Sequence, residues 1–357
     1  NIDKSIFFII SLLFIIGLFF SLVSTSLIAS DKLNTNSYSF FFKHLFYVLL
    51  GIVVIFVFSS LSLSKLYKFS IFLFFIFFIT LFLVPIIGIE VKGSKRWLDL
   101  YFLPRFQPIE VLKPFLIVTL ATIFCSNNTN ILLKYSLSTI LISLISLLLI
   151  IQPDIGQTLL IVFSWALLIF ISGINLVFFI SIFLIFAIFL TYLIIYVPKF
   201  EYIQSRIFSF FNKEMGTHNF QSDKAIDSIV SGGFFGKGIG EGILKNRVPE
   251  AHTDYIISVV SEEFGVVAII LILFLFLIFI YMVFKKINLE TNDKVKLILI
   301  GSISLILMQA TIHIGVNIRL FPTTGMTLPF LSYGGSSIIS TSILAGIILN
   351  LTKRRIN

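Results

Sequence analysis

Long apolar runs, separated by short stretches rich in charge, proline and glycine, constrain this chain more than any other feature. They lie near 5–28, 45–63, 69–88, 109–126, 132–151, 156–172, 175–197, 255–284, 297–318 and 329–351. A bilayer crossing takes about 20 apolar residues in helical form. A helix satisfies its own backbone groups in lipid, whereas an open strand edge leaves them bare. The expected class is therefore an all-α integral membrane protein with about ten transmembrane helices, residues 1–357 forming one polytopic domain. Composition points the same way. Hydrophobic residues make up 58% of the chain and charged residues 12%, against about 45–50% and about 25% in soluble domains. The first apolar run continues past signal-peptide length, so a cleavable leader is not expected.

Lys and Arg outnumber Asp and Glu by 26 to 17, a net charge of +9. No basic run interleaved with aromatics lies outside the apolar segments, so nucleic acid is not an expected partner. Basic residues in cytoplasmic loops orient spans and face anionic lipid. Lys353, Arg354 and Arg355 in the tail, Lys285, Lys286, Lys294 and Lys296 after the eighth run, and Lys65, Lys68 and Lys134 place both termini in the cytoplasm. Lys92, Lys95, Arg96 and Arg105 in the third loop pull the other way. The single Cys125 makes no intramolecular disulfide, and no Cys–His spacing suggests zinc.

In this orientation loops three, five, seven and nine face outward and hold nearly all the unusual residues. The seventh, 198–254, is a large extracytoplasmic loop, long enough to need a reason. Its 200–211 stretch alternates aromatic and polar positions, which suits an amphipathic lid on the bilayer or a substrate contact. SGGFFGKGIGEG, 231–242, departs from the Walker pattern at Ser231 and Gly238. It reads as a flexible loop or as a nest of N–H groups for a pyrophosphate.

Asp254, in PEAHTDY, enters the eighth run, where a carboxylate is either a cap or a functional acid. Glu262 and Glu263 follow about 12–13.5 Å deeper along a helix. Acids inside an apolar helix are costly, so they read as site residues or as a buried structural pairing. Glu110 and Lys113 in QPIEVLKP sit at i, i+3 on one helix face. They either neutralise each other or bind an anionic head group. Arg96 and Trp97 fit a cation beside an interfacial aromatic anchor. Asp154, in QPD, is a candidate cap for the sixth run. Pro322, Gly325, Pro329, Gly334 and Gly335 would break a helix at membrane depth, which is tolerated only where backbone is buried or lines a cavity. His313 reads as structural.

In order along the chain, GSKRW, QPIEVLKP, QPDIGQTLL, GGFFGKGIGEG, PEAHTDYIISVVSEEFG and PTTGMTLPFLSYGGSS resemble the SEDS proteins over about residues 85–345. Ala251 before His252, and the Thr of GMTLPF, resemble the division-associated FtsW type more than the elongation-associated RodA type. The resemblance implies a peptidoglycan glycosyltransferase that polymerises lipid II on the outer face of the bacterial cytoplasmic membrane. It implies a class B penicillin-binding protein and other divisome proteins as partners. It places the essential catalytic aspartate, the candidate general base, on Asp254 and substrate binding on Glu110, Lys113, Arg96, Trp97, His252, Ser332 and Gly334, with Glu262, Glu263 and Asp154 as secondary candidates. The family commonly has Ser where Ile109 stands and Lys where Thr324 stands.

Chemistry fits that implication. A sugar hydroxyl is a poor nucleophile, and a positioned carboxylate can take its proton. The departing lipid pyrophosphate needs cations, from Lys113, Arg96 or a divalent ion such as Mg or Mn. No organic cofactor is expected. One base with direct attack predicts inversion, since retention needs a carboxylate nucleophile. Two alternatives remain in view: a lipid II flippase using the intramembrane charges, and a non-catalytic scaffold for the transpeptidase.

Overall fold

The computed structural model describes residues 2–24, 38–91, 94–100, 104–126, 130–197, 200, 201, 204, 205, 208, 210, 220–244 and 248–353. Lys92, Arg354, Arg355 and much of the 200–211 stretch lie outside the described residues.

Each of the ten apolar runs carries a helix. In chain order these are α1 (Lys4–Ser24), α2 (Ser39–Ser60), α3 (Leu63–Ile87), α4 (Pro108–Phe124), α5 (Ile131–Ile151), α6 (Ile155–Ile171) and α7 (Leu176–Tyr196). A shorter helix, α8 (Phe220–Gly232), lies in the long loop. Then come α9 (Ile256–Leu289), α10 (Asp293–Asn317) and α11 (Gly335–Thr352). Seven of these, namely α1, α2, α3, α5, α9, α10 and α11, are long and apolar enough to cross a membrane by length and composition. The chain is a multi-pass membrane protein.

Three expectations change in detail. A two-stranded antiparallel hairpin, β1 (Ile89–Val91) and β2 (Ser94–Trp97), adds strand to a helical fold. It sits in the third loop, outside the apolar runs, where water or neighbouring chain can satisfy its edges. The last helix starts at Gly335, not near 329: Phe330 has φ +66° and Gly325 φ +70°, which no helix continues. The eighth apolar run is broken at Gly265 (φ 72°, ψ −174°).

The described chain clusters into two compact units. Unit 1 comprises Asn1–Leu61, Met215–Lys286 and Ile306–Asn357. Its centre is α11, whose residues from Ser336 to Thr352 are all buried except Ile339. Small residues let backbones approach in lipid, where packing replaces the hydrophobic drive. Gly51 of α2 meets the Ser342 side chain, Gly346 meets Phe58, and a Cβ at Gly17 of α1 would stand 2.7 Å from the Leu331 backbone. The Asn350 side-chain amide donates to the carbonyls of Phe58 (2.7 Å) and Leu61 (2.7 Å), closing the exposed end of α2.

The break in α9 is also within unit 1, and the glycine-rich loop fills it. Lys237 N–H donates to the Glu262 carbonyl (2.9 Å) and Gly238 N–H to that of Glu263 (3.1 Å). On the far side of the break, Val266 N–H donates to Gly233 O (3.0 Å) and Val267 N–H to Phe234 O (3.3 Å). A freed backbone group inside a membrane protein must find a partner, and residues 233–238 supply four of them. The approach is so close that a Cβ on Gly236 would overlap the Glu263 carbonyl, and one on Gly265 that of Phe234.

Unit 2 comprises Ser62–Glu214 and Ile287–Leu305. The buried helix here is α4, packed on α3 through the stacked rings of Phe77 and Phe115 (5.9 Å between centroids). Gly301 of α10 abuts Ile117, where a Cβ would stand 2.6 Å from the isoleucine methyl. Trp165 on α6 donates its indole N–H to Ser138 Oγ on α5 (3.2 Å). A helix walled in by protein can carry charge that a lipid-facing helix cannot, and α4 carries Glu110 and Lys113.

Candidate active site

The candidate residues fall into two clusters, one in each unit. In unit 1, Asp254 sits on the turn that enters α9. Glu250, with φ +56°, turns its carbonyl inward to accept the N–H groups of Thr253 (3.1 Å), Asp254 (3.1 Å) and Tyr255 (3.3 Å). Tyr255 is buried with Ala225, Val248 and Val316, which anchors the turn from below. The Asn317 amide donates to the Asp254 carbonyl at 3.0 Å. The Asp254 carboxylate is half-buried and approaches Gly325: a Cβ there would stand 3.6 Å from Oδ2. Asp254 therefore sits half-buried on a turn of fixed backbone just before the helix.

His252 lies on the same turn, and its carbonyl accepts the Tyr333 N–H at 3.1 Å. Its ring packs against Phe40 at 4.5 Å between centroids and lies 6.1 Å from Tyr333. Ser332 is buried, and its hydroxyl accepts the Leu328 N–H at 2.9 Å, bracing the 328–332 turn. Gly334 precedes α11 in extended backbone. His313 is fully buried, its Nδ1 2.7 Å from the Met326 carbonyl, and so ties the 320s segment to α10. The Thr324 hydroxyl is buried with no hydrogen-bond partner among the described residues.

Glu262 and Glu263 lie in the same unit but serve the loop. Glu262 is fully buried and accepts from Ser228 Oγ (2.8 Å) and from the N–H groups of Ile243 and Leu244 (both 2.9 Å); Lys237 Nζ is 3.7 Å away. Glu263 accepts the Gly240 N–H. Residues 231–242 read as a flexible loop or as an N–H nest, and here the N–H groups of Lys237, Gly238 and Gly240 are bound to carbonyls or the carboxylate of Glu262 and Glu263. Those three N–H groups are thereby taken by the broken helix and are not open to a pyrophosphate.

In unit 2, Arg96 on β2 donates to the carbonyls of Gln152 (3.2 Å) and Pro153, and its guanidinium is 3.9 Å from Asp154 Oδ1. Trp97 is half-buried beside it. Asp154 caps α6: its carboxylate accepts the Gln157 N–H at 3.3 Å. It also accepts the Gln107 side-chain amide at 2.8 Å. Burial pushes the Asp154 carboxyl upward from its ordinary range, and the Arg96 guanidinium opposes that shift. Lys113 Nζ and Glu110 Oε2 form an ion pair of 2.9 Å, both nearly inaccessible. The Gln157 side chain donates to Glu110 as well. Gln157 thus joins the two acids, its main chain on one and its side chain on the other.

Sequence reasoning missed Gln107, Gln157 and Asn317. All three are uncharged polar residues in or beside apolar helices, and intramembrane polarity was the available signal. Ile109 is fully buried, consistent with an apolar residue there. Among the described residues no group of three or more His, Cys, Asp or Glu could hold a metal ion.

A family model described as "Cell cycle protein" (FtsW/RodA/SpoVE) matches residues 3–357. Among curated relatives, the "Probable peptidoglycan glycosyltransferase FtsW" of Caulobacter vibrioides is 30% identical over 97% of this chain and 87% of its own length. The protein of the same name in Coxiella burnetii is 32% identical over 92% of this chain and 90% of its own. Two solved structures share the fold. One, described as "Structural coordination of polymerization and crosslinking by a peptidoglycan synthase complex", has a TM-score of 0.77 at 23% identity, covering 99% of this chain and 98% of the other. The other is the rod shape determining protein RodA of Thermus thermophilus, with a TM-score of 0.70 at 24% identity over 99% and 97%.

Proposed function

The chain belongs to the FtsW/RodA/SpoVE family of cell cycle proteins, and from that premise we propose that it is a peptidoglycan glycosyltransferase. It polymerises lipid II into glycan strands for septal wall synthesis, at the outer face of the bacterial cytoplasmic membrane with both termini inside. The observation that carries this reading is the half-buried Asp254 on a turn whose backbone is fixed by Glu250 and Asn317. A general base needs such fixation, because misplacement of the reacting groups costs rate steeply.

Asp254 takes the proton of the acceptor sugar hydroxyl as its oxygen bonds to the anomeric carbon of the donor. The bond from that carbon to the lipid pyrophosphate breaks, and the electron pair leaves with the phosphate. One displacement inverts the anomeric centre. Lys113 and Arg96 are the cations proposed for pyrophosphate charge. Each already has a carboxylate near it, Glu110 and Asp154, so substrate competes with those acids. His252, Ser332, Gly334 and Trp97 are proposed substrate contacts. Asp254 offers a single carboxylate and no metal-holding group surrounds it among the described residues. A divalent ion would therefore arrive with the pyrophosphate, and no step is routed through one. The proposed partner is a class B penicillin-binding protein within the divisome, the transpeptidase that would crosslink the new strands.

The test is polymerisation of labelled lipid II by purified protein, wild type beside Asp254→Asn, with and without the cognate transpeptidase. Glycan ladders from wild type alone support the polymerase and its base together. Equal ladders from both remove Asp254 from the mechanism. Ladders from neither, with folded protein and partner present, favour a flippase or a scaffold.

A further inference from the structure

Two adjoining cavities open at one end of unit 2, where α4 ends and α5 begins, α6 ends and α7 begins, and α10 starts. Neither is used by the chemistry above. The first, about 710 Å³, is lined by Lys134, Lys294 and Lys296, with Asp293 as the only carboxylate among the described residues that line it. Cys125 lies in its wall. The second, about 730 Å³, is lined mainly by apolar side chains, among them Ile131, Leu132, Tyr135 and Phe178. Phe124, Lys134 and Ser172 line both, so a basic compartment continues directly into an apolar one.

Charge in the first compartment is unbalanced. Lys296 lies 3.7 Å from Asp293, and Lys294 sits 4.0 Å over the Tyr67 ring. One carboxylate thus stands in a lining that holds three ammonium groups. Two of the three helix starts here are capped by side chains: Asn175 accepts the Val177 N–H, and Asn292 accepts those of Lys294 and Val295, whereas Asn130 at the start of α5 makes no side-chain cap. Attraction for an anion rests mainly on the lysine side chains. In the second compartment Ile131 and Leu132 are about two-thirds exposed at the start of a membrane helix, where only acyl chain or interface can cover them.

We propose that these cavities form a binding site for one anionic phospholipid, phosphate group among the lysines and acyl chain along Ile131, Leu132 and Phe178. Basic pockets between membrane helices suit phosphate head groups. Lysine stems reach such a group while their ammonium ends stay at the interface. Each cavity falls within the usual size of a ligand pocket, roughly 300–1,000 Å³. A lipid seated here bridges the starts of α5 and α10 and holds that end of the unit together. The site is independent of the glycosyl-transfer reading.

The only cysteine in the chain is a built-in probe. The full-length protein is placed in nanodiscs of phosphatidylcholine alone, or with phosphatidylglycerol, and Cys125 is titrated with the neutral reagent N-ethylmaleimide. Phosphatidylglycerol slows modification several-fold in the wild type, and the surface variant Lys134→Gln/Lys296→Gln loses that protection. Equal slowing in wild type and variant means that bilayer surface potential alone acts, and overturns the proposal. So does an absence of protection in both. Protection by a polyprenyl phosphate but not by phosphatidylglycerol assigns the cavity to a prenyl carrier and also overturns it. Native mass spectrometry of detergent-purified protein supplies the second reading: wild type retains one phosphatidylglycerol that the variant loses.

Discussion

The side-chain amide of Asn317 donates to the backbone carbonyl of Asp254 at 3.0 Å, across 63 positions of sequence. The same amide donates to the His313 carbonyl one turn earlier at 2.8 Å. The end of α10 thereby fixes the turn that presents the proposed base. Asn317→Ala removes that hold without touching the carboxylate. One hydrogen bond is worth about 1 kcal/mol, so kcat falls about fivefold. Steady-state kinetics on lipid II should show that fall with KM little changed and the unfolding temperature nearly so. An unchanged kcat removes Asn317 as a positioning residue.

Glu262 separates its two roles by substitution. Its carboxylate satisfies the buried N–H groups of Ile243 and Leu244. Glu262→Ala leaves them bare, at about 1–3 kcal/mol each. Glu262→Gln keeps an acceptor oxygen and should lose much less. Thermal unfolding in detergent reads this difference, and polymerisation should track stability in both variants. A Glu262→Gln protein that is stable yet inactive would give Glu262 a direct part in chemistry.

Gly265→Ala tests the break in α9. The residue has φ 72°, and its Cβ would overlap the Phe234 carbonyl. Left-handed strain costs a non-glycine residue of order 1–3 kcal/mol before the clash is counted. The variant should unfold at lower temperature, and limited proteolysis should cut the 233–244 loop faster than in wild type. Resistance equal to wild type would mean that the loop does not depend on the break.

The Glu110–Lys113 pair calls for a double-mutant cycle. Lys113→Met strands a buried carboxylate, at about 3–5 kcal/mol. Glu110→Gln/Lys113→Met removes both charges and should recover most of that loss. If polymerisation stays low in the stable double variant, the pair binds substrate. If activity returns with stability, the pair is structural.

Much of this protein is legible in one dimension, and the reason is the solvent. Lipid forces every span to be a helix and puts charge at its ends, so the apolar runs alone locate the helices they carry to within a few residues at most ends. The turn at Asp154 and the acid at the start of α9 are likewise visible, because capping and helix entry are local. The family is visible for a similar reason: its motifs are contiguous strings of residues.

What depends on distant chain is not visible this way. Nothing local in SGGFFGKGIGEG says that its N–H groups will donate to Glu262 and Glu263 while its carbonyls accept from Val266 and Val267 beyond the break, since these partners are distant in the chain. Gln157 reads as one more polar residue until folding sets α4 beside α6 and lets it join Glu110 to Asp154. Asn317 acquires its meaning only when the end of α10 meets the Asp254 turn. Sequence by itself determined which segments enter the membrane, because hydration free energy is a property of each residue. Tertiary structure alone decided which buried polar groups satisfy one another, because a hydrogen bond is a property of two atoms brought within about 3 Å.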